Sequence, residues 1–297
     1  MSNSFPKMEE LQREHVHIRN REKVLNILKD IIDGGPSKLQ VVADFDRTLS
    51  GYKINGRLVD TCHNTLDDSK HLPQAYREQA IELRNTYYPI EIDPHKTKEE
   101  KYPHMVQWWT RAHDLLLHHC TKLTRSLLSQ IVGDAYIRLR AGCDWLFNEL
   151  DRHQIPLLIF SAGIGNIIEE TIRQQSTFHD NIKIVSNFLE FDSDGNVVGF
   201  QGDIIHVYNK NENAIHDSDY FSNLSHRENV LLMGDSLGDL HMADGASDAQ
   251  HVLKIGFLND QVEKKLEMYT EAYDIVLVTD ETLDIPNAIL RHILQSS

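Results

Sequence analysis

Two aspartates spaced two apart, Asp44 and Asp46, close the apolar part of the stretch VVADFDRTLS at residues 41–50. The run ahead of them, Leu39, Val41, Val42 and Ala43, reads as a short buried strand, because β-branched residues pack well on a pleated surface and turn residues follow soon after. If the extended conformation persists to Asp46, the two-residue period sends both carboxylates to the same side, where like charges repel. A divalent cation, a proton, or a substrate phosphate with its metal would resolve that conflict. Aspartate is also common in solvated strand-end turns, so the pair by itself does not fix the chemistry. Two further apolar runs end in groups able to handle a phosphate. IPLLIFS (155–161) closes on Ser161, with Ala162 and Gly163 behind it, and NVLLMGDS (229–236) reaches Asp235 and Ser236, with Asp239 just beyond. In an open α/β sheet the ligand crevice lies at the carboxyl ends of the strands, so these residues converge if their strands are neighbours. The glycines of SAGIGN, ahead of a helix expected from about Asn166, let backbone N–H groups approach an anion beside the positive end of the helix dipole. Together these features favour a phosphoryl group over a neutral substrate.

The whole chain bounds what such a site could serve. Its 297 residues suffice for one large domain or for a core with a smaller companion, and 40% hydrophobic composition is ordinary for a globular protein. Thirty Lys and Arg against 45 Asp and Glu give a formal net charge of −15, so the surface field repels nucleic-acid backbones and anionic lipid. No nucleic-acid polymer is expected as partner. The cysteines, Cys62, Cys120 and Cys143, are odd in number and widely spaced, which suggests neither a disulfide framework nor a zinc site. None of the 17 histidines forms an HExxH spacing. No apolar run approaches the roughly 20 residues of a membrane helix, and MSNSFPKMEELQREH carries no secretory apolar segment. The expectation is a soluble, cytoplasmic monomer with no membrane contact.

The elements that must position these residues follow from periodicity. Glu10 to Ile32 places apolar residues at helical spacing and stops at Gly34, Gly35 and Pro36, which predicts one helix. Residues 56–135 are rich in charge, histidine and aromatics with a helical period, which predicts a mostly helical insert. From Tyr136 helix and strand alternate: a helix through Leu150, the 155–161 strand, a helix from Asn166 to Gln175, NIKIVSNFLEF, a hairpin, the 229–236 strand, and late strands at HVLKIGF and YDIVLV around a charged helix. EFDSDGN (190–196) imitates a calcium loop, but position 12 falls on Gln201 and the flanks are strand-like, so a hairpin turn is the better reading. The fold class is α/β: a doubly wound, Rossmann-like core with a parallel sheet covered on both faces.

At this point the sequence resembles a known superfamily. DFDRT matches the first signature of haloacid dehalogenase-like phosphatases, LLIFSAG looks like their second motif, Lys210 in VYNKN fits the third, and LLMGDSLGD resembles the GDxxxD fourth. The resemblance tightens to the cytosolic 5′-nucleotidase III family through YYPIEIDP, WWTRAH, IFSAGIGN, NKNENA and GDSLGDLHMADG, and most of all to its 7-methylguanosine phosphate-specific branch. The resemblance implies a phosphatase core of residues 1–55 and 136–297 and a helical cap of residues 56–135 that sets specificity. It implies magnesium-dependent hydrolysis of nucleoside 5′-monophosphates, with Asp44 as nucleophile forming an aspartyl-phosphate and Asp46 as the acid that protonates the leaving ribose oxygen and later activates water. Mg²⁺ would be held by the carboxylates of Asp44 and Asp235 and the backbone carbonyl of Asp46, with Asp239 behind them orienting Lys210 or a metal-bound water. Lys210, Ser161 and the N–H groups of Ala162 and Gly163 would balance charge on the transferring oxygens. Arg47 departs from the apolar residue usual in the family and is left unassigned.

The same resemblance points to the base pocket. Glu91 in PIEID aligns with a glutamate that hydrogen-bonds the base edge, and Trp109 is the candidate stacking platform, because only one of the adjacent Trp108 and Trp109 can point inward. Trp108, Trp109 and Ala112 match the 7-methylguanosine branch, where the small Ala112 leaves room for a methyl group. Methylguanine is cationic, so a Trp face adds a cation–π attraction of about 0.5 to 2 kcal/mol and Glu91 adds charge complementarity. His63 and Tyr52 are further candidates for the pocket wall. The expected substrates are 7-methylguanosine and cytidine monophosphates, with uridine monophosphate turned over less well and phosphotransfer to a nucleoside as a side activity. Two other readings stay open: a phosphatase for another small ester such as a phosphoamino acid or sugar phosphate, and a non-catalytic nucleotide-binding protein.

Overall fold

The computed structural model describes residues 8–93, 95–210, 220, 224–246 and 248–295. Strands and helices follow in the order β1 (Val16–His17), α1 (Arg21–Gly34), β2 (Leu39–Ala43), β3 (Lys53–Ile54), β4 (Arg57–Leu58), α2 (Cys62–Asp67), α3 (Gln74–Glu91), α4 (Lys98–His119), α5 (Arg125–Asp134), α6 (Cys143–Arg152), β5 (Leu157–Ile164), α7 (Gly165–Gln175), β6 (Ile182–Asn187), β7 (Leu189–Phe191), β8 (Val197–Phe200), β9 (Asn229–Gly234), β10 (His251–Leu258), α8 (Val262–Ala272), β11 (Ile275–Val278) and α9 (Asp284–Gln295).

One seven-stranded sheet in the order β1-β11-β10-β9-β2-β5-β6 organises the molecule. All neighbouring pairs are parallel except β1 on β11, so the sheet is mixed at one edge. β2 is buried along its whole length because both faces are covered. Val41 and Ala43 face a layer that contains Leu28 and Ile31 of α1, Leu146 and Phe147 of α6 and Ile289 of α9. Val42 faces the opposite layer with Leu158, Leu232, Tyr269 and Tyr273. Met105 and Trp109 of α4 belong to this second layer, so that helix rests on the sheet itself. α4 starts on a capping box in which Thr97 and Glu100 exchange side-chain-to-backbone bonds, which fixes the start of a 22-residue helix.

β2 lies between β9 and β5, in register at Val41↔Leu231 and Val42↔Leu158. The three apolar runs that end in polar groups are therefore adjacent parallel strands. The EFDSDGN turn joins antiparallel β7 and β8, as a hairpin should, with Asp192 Oδ1 accepting from the N–H groups of Asp194 and Asn196.

Several boundaries differ from those read in the sequence. The Glu10–Ile32 helix is interrupted: Val16 and His17 pair with Leu277 and Val276 at the sheet edge, and α1 starts only after Asn20, whose side chain caps Lys23 N–H. The helix expected from Tyr136 starts at Cys143. The residues before it are extended and pair with the chain after β2, with Gly51 N–H donating to Arg138 O and Asp60 N–H to Tyr136 O. The first strand ends at Ala43 rather than running on to residue 50, and an irregular turn follows over Phe45–Leu49. α9 had no counterpart among the expected elements.

Candidate active site

Asp44 follows the last residue of β2, and its N–H donates to Met233 O of β9 at 2.9 Å. Asp46 is extended, but Arg47 has φ 65° and ψ 5°, a left-handed conformation that costs a side-chain-bearing residue about 1–2 kcal/mol. This kink turns the chain back over the strand ends instead of carrying it away from them. The Asp46 carboxylate accepts the N–H of Cys62, the first residue of α2, at 2.9 Å. Burial raises the Asp46 pKa, against the hydrogen bonds from Cys62 and the charge of His63. A carboxyl placed this way is able to hold a proton at a higher pH than a free one.

Lys210 reaches into the same gap. Its ammonium donates to Asp44 Oδ1, and to Asp239 Oδ1 at 2.7 Å, with all three side chains almost wholly removed from water. Burial opposes the ammonium, but Asp239 and Asp44 outweigh that cost and raise its pKa, so Lys210 is a fixed cation. Asp239 Oδ2 accepts from the N–H groups of Asp235 and Ser236 and from Ser236 Oγ. With Lys210 on its other oxygen, Asp239 is committed to holding its neighbours. Carboxylate oxygens of Asp44, Asp235 and Asp239 lie within 4.8 Å of one another, so Asp44 and Asp235 are left with room for a cation between them. Burial and the Asp44 and Asp239 charges push the Asp235 pKa well up, and burial is also what raises that of Asp44. Hard oxygen donors in a pocket this acidic fit a small divalent cation such as Mg²⁺. Tyr269 and Tyr273 hold the loop from outside by donating to Asp235 O and Ser236 O. Gly238 leaves space for that loop, since a Cβ there would stand 2.1 Å from Val207 O.

The third strand supplies a hydroxyl and, where β5 shifts register on β6 between Phe160 and Ile164, a bulge-like turn within it rather than a strand end at Ser161. Ser161, 1% exposed, accepts the N–H of Gly163 at 3.0 Å. A Cβ on Gly163 would lie 2.9 Å from Cys62 Cβ and 3.1 Å from Asp46 Oδ2, so only glycine lets this turn pass beside Asp46. Ala162 O accepts from Trp109 Nε1 at 2.9 Å and Asn187 Nδ2 at 3.0 Å, and Gly163 O accepts from Ser186 Oγ at 2.9 Å. The turn is thus pinned from both α4 and β6.

The residues expected around a base divide into two groups. Trp109 is buried, with His63 edge-on at 5.8 Å between ring centres, His206 at 6.3 Å and Trp108 at 5.2 Å; Trp108 stacks on Tyr87. Ala112 lies half-buried one turn further along α4 and brings no polar group. On the other side Arg47 sits 5.4 Å from the Tyr52 ring centre. Its charge, which burial disfavours, is supported by Asp235, Tyr88 and Glu91. Glu91, the last residue of α3, has its pKa raised by burial and opposed chiefly by Arg47. Cys62, Asn187 and Ser186 hold the site together, a role that nothing in their own types or spacing marked in the sequence. Of the NKNENA motif, residues 211–214 lie outside the described residues, as does residue 94 of YYPIEIDP.

Aspartates and a lysine gathered at the ends of adjacent parallel strands, beneath a set of intervening helices, define an α/β phosphohydrolase of the haloacid dehalogenase type. A phospho-aspartyl intermediate analogue of phosphoserine phosphatase shares the fold at a TM-score of 0.50 and 15% identity, over 87% of this chain and 97% of that one. More specifically, residues 47–294 match the profile of the pyrimidine 5′-nucleotidase (UMPH-1) family, and the chain belongs to that family. It is 49% identical over 284 residues to the 7-methylguanosine phosphate-specific 5′-nucleotidases of Mus musculus and Homo sapiens, in each case spanning 96% of this chain and 94% of the relative. The crystal structure of cytosolic 5′-nucleotidase IIIB bound to cytidine superposes with a TM-score of 0.91 at 35% identity, covering 98% of both chains. The chain is therefore a hydrolase of the 5′-nucleotidase kind. Among the described residues no helix is long and apolar enough to cross a membrane.

Proposed function

We propose that this enzyme removes the 5′-phosphate from 7-methylguanosine monophosphate and cytidine monophosphate, and less readily from uridine monophosphate, through an aspartyl-phosphate on Asp44. The observation that carries the reading is the buried Asp44–Lys210–Asp239 chain beside Asp235, on the strand adjoining Ser161. Asp44 is the nucleophile: its free oxygen attacks phosphorus, splitting one hard hydrolysis into two easier displacements. Lys210 offers positive charge to the phosphoryl oxygens, and Ser161 offers a hydroxyl, where charge builds during transfer. Asp46, held by Cys62, donates its proton to the departing ribose 5′-oxygen and recovers one from the water that cleaves the aspartyl-phosphate. Bound between Asp44, Asp235 and the Asp46 carbonyl, Mg²⁺ would neutralise the carboxylates and polarise the phosphoryl group.

Residues 56–135 act as the cap over this core. Glu91 reads the base edge and Trp109 gives the stacking face, with Ala112, His63 and Tyr52 shaping the wall. Their support is the Trp109 bond to Ala162 O with the His63 ring edge-on to Trp109, and the attraction between Glu91 and Arg47. The names of the relatives, which specify 7-methylguanosine phosphate, support the methylated base, and the cytidine in the superposed crystal structure supports the pyrimidine. A cytosolic location accords with the names of the cytosolic relatives, and a monomer with the acidic balance of the chain. Phosphotransfer to a nucleoside in place of water follows from a covalent intermediate.

The test is phosphate release from 7-methylguanosine, cytidine, uridine, guanosine and adenosine monophosphates and from phosphoserine, with Mg²⁺ or with EDTA. Methylguanosine and cytidine monophosphates should lead. EDTA should abolish release, and Asp44→Asn should lower kcat by about 10⁴-fold or more, the scale of losing a covalent nucleophile. Metal-dependent release that favours phosphoserine would retain the chemistry and overturn the base pocket.

A further inference from the structure

Arg140 is the largest fully buried side chain among the described residues, 1% exposed, yet its guanidinium is bonded to no carboxylate. Nη2 donates to Arg47 O at 2.6 Å, Nε to Thr48 O at 2.8 Å, and Nη1 to Asp280 O. The carboxylate of Asp280 is turned elsewhere, to Thr282 and His15. The guanidinium lies over the Phe257 ring, 4.3 Å from its centre. Asn259 completes the arrangement: its Oδ1 accepts from Arg140 Nη2 at 3.3 Å, and its Nδ2 donates to the same Arg47 O at 3.0 Å. The backbone continues it, with Arg140 N–H on Leu49 O at 2.8 Å. Three consecutive carbonyls of the turn after Asp46 are thus held from one residue. Burial lowers the Arg140 pKa only to about 10, so the charge persists at neutral pH.

Burying a charge against carbonyls alone is a poor way to stabilise a core, since apolar side chains of equal volume do as well or better. What this arrangement does fix is a direction. The carbonyl shared by Arg140 and Asn259 belongs to Arg47, the residue in the left-handed conformation, which directly follows Asp46 with its carboxylate on Cys62 N–H and beside Gly163.

We infer that Arg140, with Asn259, is a positioning residue for the reaction: it clamps the Arg47 peptide so that the Asp46 carboxyl is aimed at the leaving-group oxygen. Arg140 also sits on the stretch by which the chain returns from α5 to α6, so the aim of Asp46 and the placement of the intervening helices depend on one set of bonds. The inference rests on the reading of Asp46 as the acid.

The experiment compares kcat/KM, which reports steps through leaving-group departure, for cytidine monophosphate and for p-nitrophenyl phosphate, whose leaving group departs without protonation. Arg140→Lys keeps a charge and an aliphatic stem but loses the fork of donors. Nucleotide kcat/KM should fall about 30-fold, or about 2 kcal/mol, while p-nitrophenyl phosphate loses about threefold or less. Asn259→Ala, which leaves the guanidinium seated, should give the same asymmetry at about fivefold, and it decides the question if Arg140→Lys does not fold. Equal losses on both substrates, or none on either, would overturn the clamp. Asp46→Asn run in parallel separates the two ideas: if it lacks the leaving-group asymmetry, the acid reading fails and takes the clamp with it; if it has the asymmetry and the Arg140 and Asn259 variants do not, only the clamp fails.

Discussion

The two ends of the proposed substrate site are built by opposite means. At the phosphoryl end, charged groups from two adjacent strand ends and the loops beyond them are linked in one set beside Ser161: Lys210 bridges Asp44 and Asp239, and Asp239 receives three further donors. At the base end, α3 and α4 contribute rings. Trp109 meets Trp108 and His63 edge to face and His206 at a tilt, and the ring nitrogens His63 Nε2, His113 Nε2 and His206 Nε2 are buried without a hydrogen-bond partner among the described residues. Substitutions at the first end should be costly because each charge depends on the others. The second is held by shape and stacking, so changes there should alter which base is accepted and leave the chemistry intact.

Replacing Lys210 by Met is the strongest way to break this contrast. It strands Asp44 and Asp239 as buried like charges and removes the cation facing the transferring oxygens. Steady-state turnover of cytidine and methylguanosine monophosphates should drop about 10³-fold, equally for both. A variant that changed their ratio would show that the two ends are not separable.

Acid should separate the ends by stability. Burial lowers the pKa of His113 to about 3 and of His206 to about 4. Both are folded-state values depressed below that of a free histidine, so their neutral forms contribute stability that is complete above about pH 6.5 and is lost as pH falls toward those values. At pH 4.5 His113 alone should cost about 2–3 kcal/mol. It stacks on Phe200 with ring centres 3.7 Å apart, so α4 and the β7–β8 hairpin should gain hydrogen exchange at pH 4.5 before β2 and β9 do. His113→Phe should remove much of the effect.

Smaller effects sharpen the picture. Glu91→Gln should reduce the preference for 7-methylguanosine over guanosine monophosphate by about tenfold, because an amide keeps the hydrogen bond but not the attraction to a cationic base. Turnover of p-nitrophenyl phosphate should be unchanged. Trp109→Phe keeps a ring in the core but loses the N–H on Ala162 O and the more electron-rich face. A shift of about threefold against the methylated base is expected, and unchanged selectivity would remove Trp109 from the pocket.

The part of this molecule that was legible in the sequence is the part whose residues carry their own signal. Apolar strands ending in Asp44, Ser161 and Asp235 announced a parallel sheet with a phosphate site, and the sheet order bears out their convergence. What stayed hidden depends on contacts that periodicity does not encode. The Val16–His17 edge strand looks like part of a helix because its apolar residues fit that spacing as well. The extended stretch before α6 owes its shape to pairing with residues 50–60, and the left-handed Arg47 to donors from Arg140 and Asn259. A buried arginine and a half-buried asparagine look like any others until the chain folds.

The central position of β2 also has a consequence for how the enzyme comes into being. Its partners are residues 157–159 on one side and 229–233 on the other, so the nucleophile strand is made early and completed late. A chain emerging from the ribosome carries Asp44 with an exposed hydrogen-bonding edge until the strand bearing Asp235 has been synthesised. Catalytic competence should therefore arrive only after β9 has paired with β2 and brought Asp235 and Asp239 to Asp44, and no nascent chain ending before them should hydrolyse a nucleotide.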